Sequence, residues 1–242
     1  MKSLWFITPA WSRYELSKIC FAQRRWVCDE LAKSGIEANC VVICDDNNIE
    51  IAESLGFHVL IQNNEYLGRK FNDGYKYATH KKADYVMTIG SDSWIHPNLV
   101  LALIPRSYNN IRYSRLLSVV KSDGEERLDL DVLYQGGGQR VYPLRLFKKL
   151  GYRPIPDNLE RACDGATFQA LSTLEDRIKW ETIPDRHLEL IGFQSNLQIT
   201  KYDNLKGRWC TNVSKTPFLG LHKLYPNNFI RAIQAFYAHR TW

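Results

Sequence analysis

Three short polar clusters in this chain carry the residue types that chemistry requires. Asp45-Asp46 closes an apolar run. Carboxylates placed there can accept hydrogen bonds from hydroxyl or N–H groups. Gly68-Arg69-Lys70-Phe71-Asn72 offers two cations and one side-chain amide, donors that suit an anionic group. Gly90-Ser91-Asp92-Ser93 ends a further apolar run with a single carboxylate. Each cluster also has an ordinary structural use. Asp45-Asp46-Asn47 and Asp92 suit helix caps, and Gly68-Arg69-Lys70 suits a solvated turn before a helix.

The elements around these clusters decide between the two uses. Leu4 to Thr8, Ala38 to Cys44, Phe57 to Ile61 and Tyr85 to Ile89 are short apolar runs that predict strands. Between them, Glu15 to Lys33, Ile49 to Leu55 and Phe71 to His80 carry helical spacing, the first two stopped by Gly35 and Gly56. Alternating strands and helices predict an α/β fold with a mainly parallel sheet flanked by helices. Ligands of open α/β sheets bind beyond the carboxyl ends of the strands. Thr8-Pro9, Asp45-Asp46 and Ser91-Asp92 all fall at such ends, so they are expected to meet in one crevice. The second half is less regular. Helices are expected over Pro97 to Ile104, Pro143 to Leu150, 164–179 and Phe229 to His239. Strands are expected at Leu116 to Lys121 and Leu130 to Tyr134, with a further strand or edge at Ile183 and Leu188 to Ile191. Loops are expected from Ser195 to Lys223. No repeat or linker stands out, so one domain over 1–242 is preferred.

Composition narrows the class. The chain has 242 residues, 45% hydrophobic and 24% charged, which excludes a disordered tail or a collagen-like repeat. No run of 18 apolar residues exists, so no transmembrane segment is expected, and a cytoplasmic location is the expectation. The six cysteines lack C-x-x-C spacing and read as reduced, mostly buried small hydrophobes. The net charge of +6 is unevenly placed. Residues 105–153 and 197–242 together carry 17 basic and 6 acidic groups, whereas residues 1–104 carry 11 and 12. Such segregation points to a polyanionic partner or an anionic cofactor.

The ordered set of motifs resembles the nucleotide-sugar glycosyltransferases of GT-A fold, most nearly the family 2-like group. Val41-Val42-Ile43-Cys44-Asp45-Asp46-Asn47, then Gly68-Arg69-Lys70-Phe71-Asn72-x-Gly74, then Tyr85 to Ser93 and Pro97 carry the likeness. It covers residues 4–100, and 130–223 more loosely. It implies a nucleotide-sugar-binding half over 1–104 and an acceptor-binding half over 105–242. It implies that Thr8 and Pro9 line the base pocket and that Asp45 or Asp46 holds ribose or base. Gly68, Arg69, Lys70 and Asn72 then approach the diphosphate. The family's Asp-x-Asp holds a divalent metal, Mn²⁺ or Mg²⁺, that bridges the diphosphate. Here Gly90 replaces the first acid, and Ser91 and Asp92 remain. Asp92 is the metal ligand the resemblance implies, with His222 as a late second one. The general base falls at the start of a helix in the second half. Asp164 is preferred for it, with Glu160 second. Lys206 and Arg208 are expected to close over the diphosphate.

The acceptor has no motif of its own. Basic residues interleaved with aromatics in the two positive segments suit a phosphate backbone and an exposed base. The chain also resembles phage-encoded transferases that decorate hydroxymethylated bases in DNA, which would place it in the host cytoplasm. A hydroxymethylated pyrimidine in DNA is therefore the favoured acceptor and a UDP-sugar the favoured donor. Cell-surface polysaccharide or a lipid-linked glycan is the alternative acceptor. A nucleotidyltransferase or a non-catalytic nucleotide-sugar-binding module is the alternative class, although the loop after the first strand lacks the glycines a nucleotidyltransferase expects.

Overall fold

A computed structural model describes residues 1–45, 47–106, 110–113, 117–121, 128–132, 140–160, 163–174, 180–183, 190–193, 212–214 and 221–238. The first half runs β1 (Lys2–Pro9), α1 (Tyr14–Lys33), β2 (Ile36–Cys44), α2 (Asn48–Ser54), β3 (His58–Ile61), α3 (Leu67–His80), β4 (Tyr85–Thr88), β5 (Ser93–Ile95) and α4 (Pro97–Leu103). The described second half adds β6 (Asn110–Tyr113), β7 (Leu117–Lys121), β8 (Leu128–Val132), β9 (Val141–Pro143), α5 (Arg145–Lys148), α6 (Cys163–Ser172), β10 (Trp180–Ile183), β11 (Leu190–Phe193), β12 (Asn212–Ser214) and α7 (Asn227–Ala238).

The main sheet has the order β3-β2-β1-β4-β9. Its first four strands are parallel, and β9 pairs antiparallel with β4, Met87 opposite Val141. This is the expected α/β fold. The central strand β1 is covered on both faces, so it reads as an unbroken apolar run. Leu4 and Phe6 join the core on one face with Phe21, Val27 and Leu31 of α1. Trp5 and Ile7 join the other core with Phe71 and Tyr75 of α3 and Phe147. Gly35, at φ +77°, ends α1 in the left-handed conformation a glycine adopts without strain.

A second sheet, β12-β8-β7-β11-β5, takes β5 from the first half of the chain. β7 and β8 form an antiparallel pair, and β11 runs antiparallel to β5 and parallel to β7. β10 and β6 form a separate parallel pair. Helix α7 packs on this side, with Ile230, Ile233 and Tyr237 against Trp94, Phe193, Leu16 and Cys20.

Several expectations change. The helix expected over Pro143 to Leu150 begins only at Arg145, because Val141–Pro143 is claimed as an edge strand by β4. Ser93–Ile95 is a strand that sequence periodicity missed, being three residues long. Within the segment expected to be loop, β12 pairs with β8, and Leu221–Lys223 forms a 3-10 turn. The helix expected over 164–179 spans Cys163–Ser172. Five of the six cysteines are free and buried, as expected, and Cys210 lies outside the described residues.

Candidate functional site

The carboxyl ends of β1 and β4 open on a cluster built around Asp92. After β1 the chain turns at Ala10, whose N–H donates to the Ile43 carbonyl at 3.0 Å. Ser12 and Arg13 then both adopt left-handed backbone, φ 55° and 53°. Two consecutive non-glycine residues there carry strain of about 1–3 kcal/mol each, and such strain persists only where the surroundings over-determine it. The turn aims Arg13 back across the strand ends. Its Nη1 donates to Asp92 Oδ2 at 2.7 Å and its Nη2 to Ser91 Oγ at 3.3 Å. The other Asp92 oxygen, Oδ1, accepts from Ser93 Oγ at 3.1 Å. From the second sheet, Phe193 N–H donates to the Asp92 carbonyl at 2.8 Å and fixes the turn's backbone.

A second arginine lies beneath. Arg24 of α1 is fully buried, with its guanidinium 5.2 Å from the Phe6 ring centre. Its Nη1 donates to Thr8 Oγ1 at 3.3 Å and its Nη2 to the Ser93 carbonyl at 3.0 Å. The preceding residue, Gln23, donates through Nε2 to the Ile95 carbonyl at 2.7 Å. These two polar residues on the inner face of α1 satisfy the backbone of β5 and hold it under the crevice. Burial lowers the Arg24 pKa, while neighbouring Cys40, Cys20, Cys28 and Asp92 oppose that shift.

Lys70 reaches the same region from α3. It is buried, and its Nζ donates to the Ala10 carbonyl and to Asn64 Oδ1, both at 3.0 Å. The structure thus brings Lys70, Ser91 and Asp92 to the end of the parallel sheet.

Other predicted site residues are placed differently. The Thr8 hydroxyl is buried between Arg24 and Cys40 Sγ, so it faces the α1 core. Pro9 ends β1 and is half-buried, and Asp45 is exposed at the end of β2. Asp46, Lys206 and Arg208 lie outside the described residues. Gly68 and Arg69 open α3, but their N–H groups already donate to the Leu159 carbonyl at 2.7 Å and the Asp157 carbonyl at 2.9 Å. Arg69 is half-exposed beside Asp73, at 3.9 Å. The Asn72 amide is buried and donates to the Ile155 carbonyl at 2.8 Å and to Asp157 Oδ1 at 2.7 Å. Gly68, Arg69 and Asn72 therefore anchor the 155–159 loop.

Asp164 stands half-buried in the first turn of α6, and Glu160 is exposed before it. α6 packs on the α3 face of the sheet, where Tyr75 Oη lies 3.2 Å from Thr167 Oγ1. Nearby, burial pushes the Tyr142 phenol up to about 12; Arg140 opposes that rise and Asp164 adds to it. Arg13 and Arg24, beside Asp92, by contrast come from the α1 side.

The helix-cap alternative fails for Asp92. Asn47 does stand as the N-cap of α2, without a side-chain capping bond. His96, not Asp92, caps α4, its Nδ1 accepting from Asn98 N–H at 3.2 Å.

A divalent cation needs several oxygen ligands. Asp92 has one carboxylate, already ion-paired with Arg13, and no acid stands at Gly90. A Cβ at Gly90 would lie 2.5 Å from Asp92 Oδ1. His222 Nδ1 is 2.9 Å from Asn227 Oδ1, on an exposed turn. Among the described residues no group of three His, Cys, Asp or Glu side chains is placed to hold a metal ion. The metal site implied by the resemblance therefore does not fit these residues, and the reason is local: an arginine occupies the one carboxylate.

Arg13 and Arg24 are the residues that sequence reading missed. Arg24 gave no signal, since helical spacing predicts an apolar residue on that face. Arg13 did, as a cation directly after the first strand in a chain whose acidic motif had lost one acid.

The chain aligns with TarS of S. aureus over 81% of its own length and 37% of that chain, at 16% identity and a TM-score of 0.51. The fold is GT-A-like. Also similar are a CMP:2-keto-3-deoxy-manno-octonic acid synthetase complexed with CTP (16% identity, 76% of this chain and 90% of that one, TM-score 0.45) and a Drosophila β-1,4-galactosyltransferase 7 with manganese, UDP-Gal and xylobiose (12% identity, 75% and 65%, TM-score 0.43). This chain spans little more than a third of the TarS chain it matches. No family model and no curated protein matches it.

Proposed function

We propose that this chain is a glycosyltransferase that uses a nucleoside-diphosphate sugar, favoured to be a UDP-sugar. The convergence of Arg13, Lys70, Ser91 and Asp92 at the carboxyl ends of β1 and β4 carries this reading. That is where an open parallel sheet binds its ligand, and cations there suit a diphosphate. In the proposed reaction the acceptor hydroxyl oxygen attacks the anomeric carbon of the sugar. The bond from that carbon to the diphosphate oxygen breaks, and its electron pair leaves with the nucleoside diphosphate. The hydroxyl proton passes to a carboxylate, for which Asp164 is the first candidate and Glu160 the second. Pro9, Asp45 and Asp46 are assigned to the nucleoside, and Lys206 and Arg208 to closure over the phosphates.

The favoured acceptor is a hydroxymethylated pyrimidine in DNA. Its support is the placement of charge: the segments 105–153 and 197–242 carry 17 basic against 6 acidic groups, and the rest of the chain is net negative. The base would have to leave the stack to reach the crevice. Purified protein incubated with UDP-sugars and hydroxymethylated DNA is expected to add one glycosyl mass to the base, read by mass spectrometry. Transfer only to simple or lipid-linked glycans would replace the acceptor. Release of pyrophosphate from a nucleoside triphosphate, with no sugar transferred, would replace the reaction.

A further inference from the structure

On the reading that this crevice takes a nucleotide-sugar donor, we infer that the cation receiving its diphosphate is Arg13 and not a divalent metal. Asp92 serves to hold that arginine. Its Oδ2 is the acceptor of the 2.7 Å bond from Nη1, and its Oδ1 is engaged by Ser93. A side chain at position 90 would meet Asp92 Oδ1 at 2.5 Å, so an acid there would require Asp92 to turn out of its present arrangement with Arg13 and Ser93.

Arg13 is shaped for the task. Asp92 and Ser91 each take one N–H of the guanidinium, which has five. The side chain keeps 16% of its surface exposed, so it is held firmly and still reachable. A planar guanidinium can present paired N–H groups to two phosphate oxygens, which a point charge cannot. Arg13 is also the N-cap of the 20-residue helix α1, whose positive dipole end points the same way.

The gathering of cations agrees. Arg13, Arg24 and Lys70 all bond to the segments 8–10 and 91–93 or their side chains. Asp92 is the carboxylate ion-paired with Arg13. Cations brought together at one place suit the charge of a nucleoside diphosphate.

Calorimetric titration of UDP, CDP, GDP and ADP into the protein tests this, first in EDTA and then in Mn²⁺. The expected result is binding of at least one diphosphate with affinity in EDTA within about twofold of that in Mn²⁺. Arg13→Ala should weaken it by roughly tenfold or more, the scale of a charge-assisted pair. Arg13→Lys should recover part of the loss, and the parent nucleoside should bind all three proteins alike. Circular dichroism establishes that the variants are folded. Binding that requires Mn²⁺ would overturn the inference, as would unchanged affinity in folded Arg13→Ala and Arg13→Lys. If no diphosphate binds in either condition, the donor-site reading itself fails and takes the inference with it.

Discussion

Gly68 sits where a methyl group has no room. A Cβ there would lie 2.3 Å from the Pro156 carbonyl oxygen and 3.1 Å from the Asp157 carbonyl. Both neighbours are backbone, which cannot rotate away as a side chain can. Gly68→Ala is expected to cost about 1–3 kcal/mol, the usual scale of overpacking. Urea unfolding checks it, and a change below about 0.5 kcal/mol would show that the loop yields easily. The glycine looked like part of a phosphate-binding turn, but its packing is what demands it. Asp92 shows the converse. Its type suggested a metal ligand, and its partner turned it into an anchor for Arg13.

At the scale of elements, α3 has no side-chain N-cap. Tyr66 precedes it, and carbonyls of the 155–159 loop take the first N–H groups instead. Asn72 fastens that loop through Ile155 and Asp157. The Asn72 amide holds the Asp157 carboxyl below its usual value; burial, the next largest effect, opposes it, and the charge and hydrogen bond of Arg153 and the charge of Arg69 add to the lowering. A carboxyl depressed on folding stabilises above its unfolded pKa, about 3.9, and that contribution fades as pH falls through the folded value. Asn72→Leu should therefore destabilise by about 1–3 kcal/mol at pH 7. The gap from wild type should narrow between pH 5 and pH 3. Urea titrations across that range give the answer, and a gap that stays constant would mean that Asp157 is not coupled to the loop.

For the whole molecule, the question is where the charge lies. The first half is close to neutral, and the two positive segments hold 17 basic against 6 acidic groups. If those segments hold a nucleic acid backbone, affinity for a DNA oligonucleotide should fall steeply as salt rises. A plot of log K against log salt should be linear, with a slope of about −0.7 to −0.9 per phosphate contacted. Fluorescence anisotropy from 25 to 200 mM salt reads this directly. Failure to bind at the lowest salt would remove DNA as the acceptor and leave the donor site as it is. The halves are also interlocked: β9 from the second half completes the main sheet, and β5 from the first enters the other. The two halves of the chain therefore share one framework.

Periodicity alone was enough for the α/β class and for the order of β1 to β4 with α1 to α3. The longer of these elements, β1, β2, α1 and α3, bury apolar faces, and burial is what hydrophobic pattern records. The placement of Ser91 and Asp92 at a strand end was legible too, whereas the Thr8 hydroxyl faces the α1 core. Short elements were not. Ser93–Ile95, Val141–Pro143 and Asn212–Ser214 have three residues each, too few for a period, and exist because a neighbouring strand pairs with them. Side-chain partners were equally out of reach. Gly68 and Asn72 carry the residue types of a phosphate site, yet a loop nearly ninety positions later claims them. Arg13 and Asp92 are 79 residues apart, and only the left-handed turn after β1 brings them together. Residue type and pattern determine which elements form and where their ends lie. Which groups at those ends neutralise one another is a long-range electrostatic outcome, decided when the sheet assembles.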